Sequence, residues 1–484
     1  MPICDILLVF GKGQKADFHL SLGSVSVTLD GEIYNSQEIS DHLGEKRDAD
    51  DEELIAMLYK KHGEEFIYRI NGKFSIVLFD SSVNKLIVFR DRCGENILYY
   101  YDQPDRLIFA TQIKDIVKIA GRLNYRAPTA ITDTIYQGVK ILAPGHRFVY
   151  YPNNGKRDVE KYWTPFTGVK EENIGTVRER LRYLLFDAAK IRYQKSNTAV
   201  LCGGFDTSVL CGILKPGVVF SCFNDWDPLQ SDVGYSKATA KLINAEQVWA
   251  RPTKDVFAEK FKAIVLECGI PINGTGQIIH FMLAQKIKKY DKEIDAVIQG
   301  AGGDELFGTL RSAIIGWELQ LYDNEHFKHY DVLLDRYYGD HVKRFMKLFR
   351  INEDWFGEYQ GAGRRDVLSL VSVISLLSVL QHELLMANTM FRQFGISTRN
   401  PFLDYRVVEL ALSYPKSWDV CDGEVKRMLK QTFADLLAPE VLQRKHKVGH
   451  SVPAHEWLYE YGRKYDTHEY MRRCTDILKD SFCR

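Results

Sequence analysis

The stretch TAVLCGGFDTSVLCGIL, Thr198 to Leu214, constrains the fold more than any other part of the chain. An apolar run meets a pair of glycines, an aspartate and a pair of hydroxyl residues, and a second apolar run follows. That order reads as a strand, a tight turn and a helix. In parallel sheets, ligands bind beyond the carboxyl ends of strands, and a turn that opens a helix there offers free backbone N–H groups to an anion. Gly203 and Gly204 let the backbone approach a phosphate closely, while Thr207 and Ser208 add hydroxyl donors in the first helical turn. Asp206 does not suit a pure anion cradle, because a carboxylate repels phosphate unless a cation lies between them. Its presence predicts a magnesium ion. The alternative is a helix start with an aspartate cap, which is common. No G-K-[ST] follows, so the turn is not a Walker loop.

A second strand end carries DAVIQGAGGDELFG, Asp295 to Gly308, in which Gly300, Gly302 and Gly303 precede Asp304. Turns of this kind at neighbouring strand ends would set Asp206 and Asp304 opposite each other, with one metal bridging both to a triphosphate. Read alone, the second loop is equally a tight bend with a capping aspartate.

Around these turns, apolar runs alternate with helical patterns (AVL, GVVFSC, VWA and DAVIQG), which predicts a doubly wound parallel sheet. After about residue 310 the pattern is almost purely helical, and VLSLVSVISLLSVLQHELLMANTMF is apolar enough for a buried helix pair. The part up to about Pro165 reads instead as short strands (ILLVF, SVSVTLDG, KFSIVLFD, KLIVFRD, ILYYYD, RLIFAT), an antiparallel arrangement. Within it, Leu54, Ile55, Leu58 and Tyr59 of DDEELIAMLYKKHG have the spacing of one amphipathic helix. Another helix follows the strands, with Val177, Leu181, Leu184, Leu185 and Ala188 on one face. A chain of 484 residues suits two cores, and the expected domains are 1–165 and 175–484.

Lysine plus arginine, 64, balances aspartate plus glutamate, 64. No net field would hold the whole chain on nucleic acid or on an anionic membrane, so a charged ligand must be met locally. The nine cysteines are odd in number, scattered and never spaced C-x-x-C, which argues against a disulfide framework or a zinc site. The start, MPICDILLVFGKGQ, lacks the charged opening of a signal peptide, and no apolar run reaches the length of a membrane span. The expectation is a cytoplasmic protein.

These residues resemble the asparagine synthetase family, whose members join an N-terminal glutaminase-type domain to an ATP-pyrophosphatase domain. CGGFDTS resembles the family's SGGxDS pyrophosphate loop, and GAGGDELFG its second glycine loop. RNPFLDYRVVELALSYP (Arg399 to Pro415) is similar to the helical-domain signature, and RKHKVGHSVP (Arg444 to Pro453) to the R-x-K-x-G-F segment. LDGEIYN, RDRCGENILYYY and LAPGHRFVYY resemble glutaminase-domain motifs. The resemblance covers nearly the whole chain. It implies an N-terminal antiparallel β-sandwich of the Ntn-hydrolase kind, an α+β domain. A doubly wound α/β ATP-pyrophosphatase domain with a helical C-terminal part would follow it.

It also implies that Cys202, Gly203, Gly204, Asp206, Thr207 and Ser208, with Gly300, Gly302 and Gly303, hold the phosphates of ATP. Asp206 and Asp304 would ligate Mg2+, and Leu201 and Cys222 would line the adenine pocket. Lys447 would stabilise charge as the α-phosphorus is attacked. Lys426 and Arg399 also match the family, and an ion-pair role between helices suits them equally.

The sequence departs from the family in several places. The family's glutaminase uses an N-terminal cysteine exposed by methionine removal, whose α-amino group serves as base; Pro2 stands there, and Cys4 reads as a small buried hydrophobe. The H-R-G-P-D segment before LDGEIYN is absent, and N-G-E has become Asp30-Gly31-Glu32, which places a carboxylate against a developing oxyanion. Loss of glutamine hydrolysis is the expectation. In the second loop Ala301 replaces the glutamate of asparagine synthetases and the tyrosine of β-lactam-forming relatives, so a general base must come from elsewhere or be unnecessary. Glu383 is the candidate, with His382 and Glu305 behind it. Cys202 replaces the first serine of the phosphate loop and is a poorer donor.

The resulting reading is ATP-dependent adenylation of a small-molecule or peptide carboxylic acid, followed by amide or lactam formation with an amine donor and without glutamine. Loops lacking the glutamate or tyrosine look like those of lasso-peptide macrolactam synthetases. A free-ammonia asparagine synthetase is the runner-up, and a non-catalytic nucleotide- or partner-binding protein is the rival of another class. A homodimer is left open.

Overall fold

A computed structural model describes residues 6–11, 18–45, 49–104, 106–126, 132–165, 173–223, 232–271, 276–308, 372–373, 375–419, 424–444, 457 and 467–483. The chain divides into two compact units. One comprises Met1–Thr164, Val265–Pro271 and Met471–Arg484, and the other Pro165–Ile264 and Ile272–Tyr470. Among the described residues, no helix is long and apolar enough to cross a membrane.

The first unit contains two antiparallel sheets. Strands β1 (Leu7–Gly11), β7 (Arg106–Ala110), β6 (Tyr99–Asp102) and β8 (Val139–Ile141) form one, in that order. The other runs β10 (Lys156–Lys161), β9 (His146–Tyr151), β5 (Lys85–Arg90), β4 (Gly72–Asp80), β3 (Val25–Ile33) and β2 (Leu20–Leu22). Alternation along β5 shows how the layers form. Leu86 and Val88 join Leu8, Leu107, Phe109 and Phe148 in a core shared by the two sheets. Ile87 and Phe89 face the opposite way, into a core with Leu54, Ile55 and Leu58. Because both faces are covered, KLIVFR reads as a continuous apolar run rather than as an alternating one.

The helix supplying that outer layer is Asp51–His62. The Asp50 side chain caps it by accepting from the Glu53 N–H at 2.8 Å. Acidic residues occupy its first turn and basic ones its last, matching the helix dipole. The RDRCGEN segment is a buried polar knot in the same unit: the Arg90 guanidinium donates to the carbonyls of Asn96 (2.6 Å), Leu142 (2.8 Å) and Gly94 (2.8 Å). Asp91 accepts from the N–H groups of Glu95 and Asn96.

The second unit is built on parallel strands. β11 (Thr198–Val200), β14 (Ala296–Ile298) and β15 (Ser397–Arg399) pair in that order, and β12 (Val218–Cys222) pairs with β13 (Glu246–Ala250). A parallel bridge between Leu201 and Phe220 joins the two sets. The spatial order is therefore β13, β12, β11, β14, β15. The chain moves from β11 to one side through β12 and β13, then returns to the other through β14 and β15. The order reverses between β11 and β14, and in open parallel sheets that crevice is where ligands bind. Both glycine turns leave strands at this point.

Behind the second glycine turn lies a fully buried ion pair. Lys416 Nζ donates to Asp419 Oδ2 at 3.0 Å and to the Leu306 carbonyl at 2.7 Å. The Tyr414 hydroxyl donates to the same carboxylate, and Trp418 stacks on Tyr414 with ring centroids 5.6 Å apart. Lys416→Met keeps the bulk but leaves Asp419 buried without its cation, at an expected cost of about 3–5 kcal/mol. Urea unfolding followed by tryptophan fluorescence should show a lower midpoint, and an unchanged midpoint would mean that the pair does not anchor the loop.

Candidate active site

The first glycine turn closes on its own hydroxyls. The helix Phe205–Leu214 (α5) has Gly204 extended before it (φ −81°, ψ −170°) and no side-chain cap. Thr207 Oγ1 accepts from the Gly203 N–H at 2.9 Å and donates to the Gly204 carbonyl at 3.0 Å. The Ser208 hydroxyl donates to the same carbonyl at 2.8 Å and accepts from Thr239 at 2.8 Å. Both side chains are buried, so in this conformation they shape the turn. The donors that remain for an anion are the first-turn N–H groups, which no helix satisfies internally. Cys202 Sγ donates to the Ser236 carbonyl at 3.6 Å and thus faces away from the turn. Leu201 lies just beyond β11 and Cys222 ends β12; burial, reinforced by Asp232, pushes the Cys222 thiol up to about 12.

The second turn packs directly on the first. A Cβ at Gly300 would lie 2.9 Å from Asp206 Cβ, and one at Gly303 would lie 2.5 Å from Asp206 Cγ. Gly302 has φ +94°, and a Cβ there would meet Leu403 Cδ2 at 2.4 Å. Leu403 belongs to the RNPFLD segment, whose Asp404 is fully buried and accepts from Arg192 at 2.9 Å. Arg399 donates to the Arg192 carbonyl and to the Thr198 hydroxyl. These contacts fix the turn against the sheet.

Asp206 and Asp304 meet at one cation, the ammonium of Lys426. Its Nζ donates to Asp206 Oδ1 and Oδ2, each at 2.6 Å, and lies 2.7 Å from Asp304 Oδ1. Lys426 is only 4% exposed and holds a left-handed backbone (φ 57°) at the start of helix Arg427–Thr432. Burial draws its pKa down, and the Asp206 charge opposes that. A second buried pair borders the first turn: Arg444 Nη2 donates to Asp232 Oδ1 at 2.5 Å, with the guanidinium over the Tyr235 ring at 4.5 Å. A Cβ on Gly204 would lie 3.6 Å from Arg444 Nη1.

Two more carboxyl groups complete the set. Burial pushes the Glu305 carboxyl up to about 8, and the like charge of Glu383 adds to the push. The Glu383 carboxyl is also raised by burial. The residue itself is exposed. Ala301 sits between the glycines with no polar side chain, and His382 is exposed. Lys447 lies outside the described residues. Sequence reading did not find the Asp232–Arg444 pair, whose members are 212 positions apart, and it left Lys426 undecided. Arg444 heads the RKHKVGHSVP segment and Lys426 matches the family, but nothing local names the partner of either.

The parallel sheet and its crevice, with carboxylates converging at the strand ends, form the kind of place where open α/β proteins bind ligands. Residues 180–473 match the Asparagine synthase family, and residues 12–118 match the Glutamine amidotransferase domain. The chain belongs to the asparagine synthase family, whose ATP-dependent carbon–nitrogen ligases carry an N-terminal glutamine amidotransferase domain. Amidase chyE of Penicillium rubens is 27% identical over 332 residues, which are 60% of this chain and 48% of that protein. This chain thus spans about half the length of that relative. Asparagine synthetase [glutamine-hydrolyzing] 1 of Bacillus subtilis is 23% identical over 514 residues, 94% of this chain and 79% of that protein. Among solved structures, the glutamine phosphoribosylpyrophosphate amidotransferase of B. subtilis, complexed with ADP and GMP, aligns with a TM-score of 0.23 and 11% identity. That alignment covers 60% of this chain and 62% of that one, and a score so low carries no argument.

The close approach of the turns is testable. In Gly303→Ala the new methyl group meets an Asp206 side chain that Lys426 holds in place, so the overpacking should cost about 1–3 kcal/mol. Thermal unfolding should show a lower midpoint, and an unchanged one would mean that the turns are not in contact.

Proposed function

We propose that this protein adenylates a carboxylic acid with ATP, releases pyrophosphate and passes the acyl group to an amine without hydrolysing glutamine. The observation that carries the proposal is the meeting of Asp206 and Asp304 at one cation-sized point in the crevice between β11 and β14. Mg2+ commonly takes one or two carboxylates and completes its shell with phosphate oxygens and water. That donor set fits here, because among the described residues no third His, Cys, Asp or Glu joins the pair as a metal ligand. Asp206 and Asp304 would hold the ion, which would neutralise phosphate charge.

The chain's own groups account for the remaining steps. The N–H groups opening α5 would receive the β- and γ-phosphates, with Leu201 and Cys222 beside the base. A carboxylate oxygen of the acid attacks the α-phosphorus as its bond to the bridging oxygen breaks, and pyrophosphate leaves. Lys426 and Arg444, the buried cations beside the turns, would stabilise the charge that builds up on the leaving group; Lys447 is the motif's further candidate for that task. The amine nitrogen then attacks the acyl carbon, its bond to the AMP oxygen breaks, and the amine proton passes to a base. Glu383 is the proposed base, since an accessible carboxyl raised above its ordinary range is suited to taking a proton near neutrality. Glu305 beside it would limit how much negative charge the pair holds.

Glutamine independence is supported by Asp30, which stands in β3 where the resembled motif has asparagine and is buried at 3% exposure. A carboxylate there disfavours an oxyanion. The amine source is then free ammonia, a separate amine or an amine of the same molecule. Similarity over 94% of the chain to a bacterial asparagine synthetase, itself glutamine-hydrolyzing, supports an asparagine synthetase as the second reading; with Asp30 disfavouring the oxyanion, its nitrogen would come from free ammonia.

ATP–pyrophosphate exchange against a panel of carboxylic acids tests the proposal. Exchange should require one acid and should yield AMP, and Asp206→Asn and Asp304→Asn should each abolish it. A folded protein that exchanges with none of the acids would be a binding protein, and ADP as product would exclude adenylation. Incubation with glutamine alone should release no glutamate. Release above the protein-free rate would restore the glutaminase.

A further inference from the structure

Two partly buried carboxylates and one buried ammonium carry one net negative charge at the head of the crevice. The ammonium nitrogen is within 2.6–2.7 Å of both carboxylates, so it stands where a metal shared by them would stand. A divalent ion entering alone would either displace the ammonium or sit against it. Displacement leaves a buried cation without its partners, and coexistence sets like charges side by side at low dielectric. Either way the metal is opposed unless an anion arrives with it. Phosphate oxygens supply that anion and give the ammonium new acceptors. Lysine suits this exchange because its charge is compact and rides on a flexible stem with three rotatable donors.

We infer that Lys426 is the resident counter-cation of the Asp206–Asp304 pair, excluding divalent metal from the nucleotide-free protein and admitting it only together with a phosphate-bearing ligand. The inference rests on the metal and phosphate reading above and adds an order of binding: the metal enters as its complex with the polyphosphate. By linkage, the lysine and the free metal are antagonistic ligands of the same carboxylates, and such couplings are typically about 5- to 150-fold.

Equilibrium dialysis against Mn2+ alone tests this on the full chain. Lys426→Met should bind one Mn2+ at least about fivefold more tightly than the unaltered protein, and Asp206→Asn added to it should remove the gain. Mg2+ without nucleotide should also raise the melting temperature of Lys426→Met while leaving that of the unaltered protein in place. Equal Mn2+ binding by the unaltered protein and the variant would overturn the inference, as would a gain that survives Asp206→Asn. If Lys426→Met does not fold, Lys426→Gln makes the same comparison with a neutral polar group. Dialysis with pyrophosphate and Mn2+ together addresses the adenylation reading separately. If the unaltered protein retains no metal with pyrophosphate while Lys426→Met retains it alone, the phosphate site fails and the role of Lys426 stands.

Discussion

The contact of Lys426 with Asp206 and Asp304 is the interaction on which the second unit's architecture turns. The sheet places two strand ends side by side, and the glycines bring their turns so close that the aspartates share one point. Buried like charges at that separation would force the turns apart. A cation makes the approach possible, and Lys426 provides it. The crowding extends further, because Glu305 follows Asp304 directly and is pushed toward its neutral form. Asp232, beside the first turn, is neutralised by Arg444. The site thus concentrates carboxylates and then offsets each by a different device, an arrangement that suits a ligand delivering both metal and phosphate.

That arrangement is held from behind. Gly302 can adopt its left-handed turn with Leu403 pressed against it, and Leu403 is held in place by the buried Asp404–Arg192 pair that follows it, where Asp404 caps the helix Tyr405–Leu412. The other end of the short helix Gly303–Phe307 is tied down through the Leu306 carbonyl to Lys416. The segment from Arg399 to Pro415 therefore contributes by position: its charged residues bond to the backbone, to each other and to Asp187, Arg192 and Thr198 of the neighbouring elements. A buried ion pair of this kind adds little net stability compared with apolar packing, yet removing one partner is costly, so it serves to fix geometry.

How legible each feature was depended on whether its cause was local. The turns at Gly203 and Gly303 could be read because a glycine run between an apolar strand and a helix has few other uses, even though β11 and β14 are only three residues long. The antiparallel sheets of the first unit were legible from alternation and turn residues. β15, with the sequence Ser-Thr-Arg, was not, because its pairing with β14 comes from the sheet and not from its own side chains. Thr207 and Ser208 read as ligand donors, since composition cannot show that both hydroxyls bond to the Gly204 carbonyl. Lys426 and Arg444 could not be ranked: a buried lysine and a solvated one look the same in sequence, and their partners, Asp206, Asp304 and Asp232, lie far away along the chain.

A site that releases pyrophosphate must also let it go. Fixed positive charge that grips a triphosphate grips the product as well, and slow release then limits turnover. A lysine with carboxylates waiting for it eases this conflict. On the proposed adenylation, pyrophosphate would leave with its metal, and the ammonium could then return to Asp206 and Asp304 without remaining buried and unpaired. The same carboxylates that favour arrival of the metal complex thereby favour its departure, because they always have a second cation available. An arginine would serve the first task and hinder the second, since its planar fork favours bidentate pairing with phosphate and does not match a compact point shared by two aspartates. On that reading, a lysine at 426, buried at the meeting of two glycine turns, meets the requirement for reversibility.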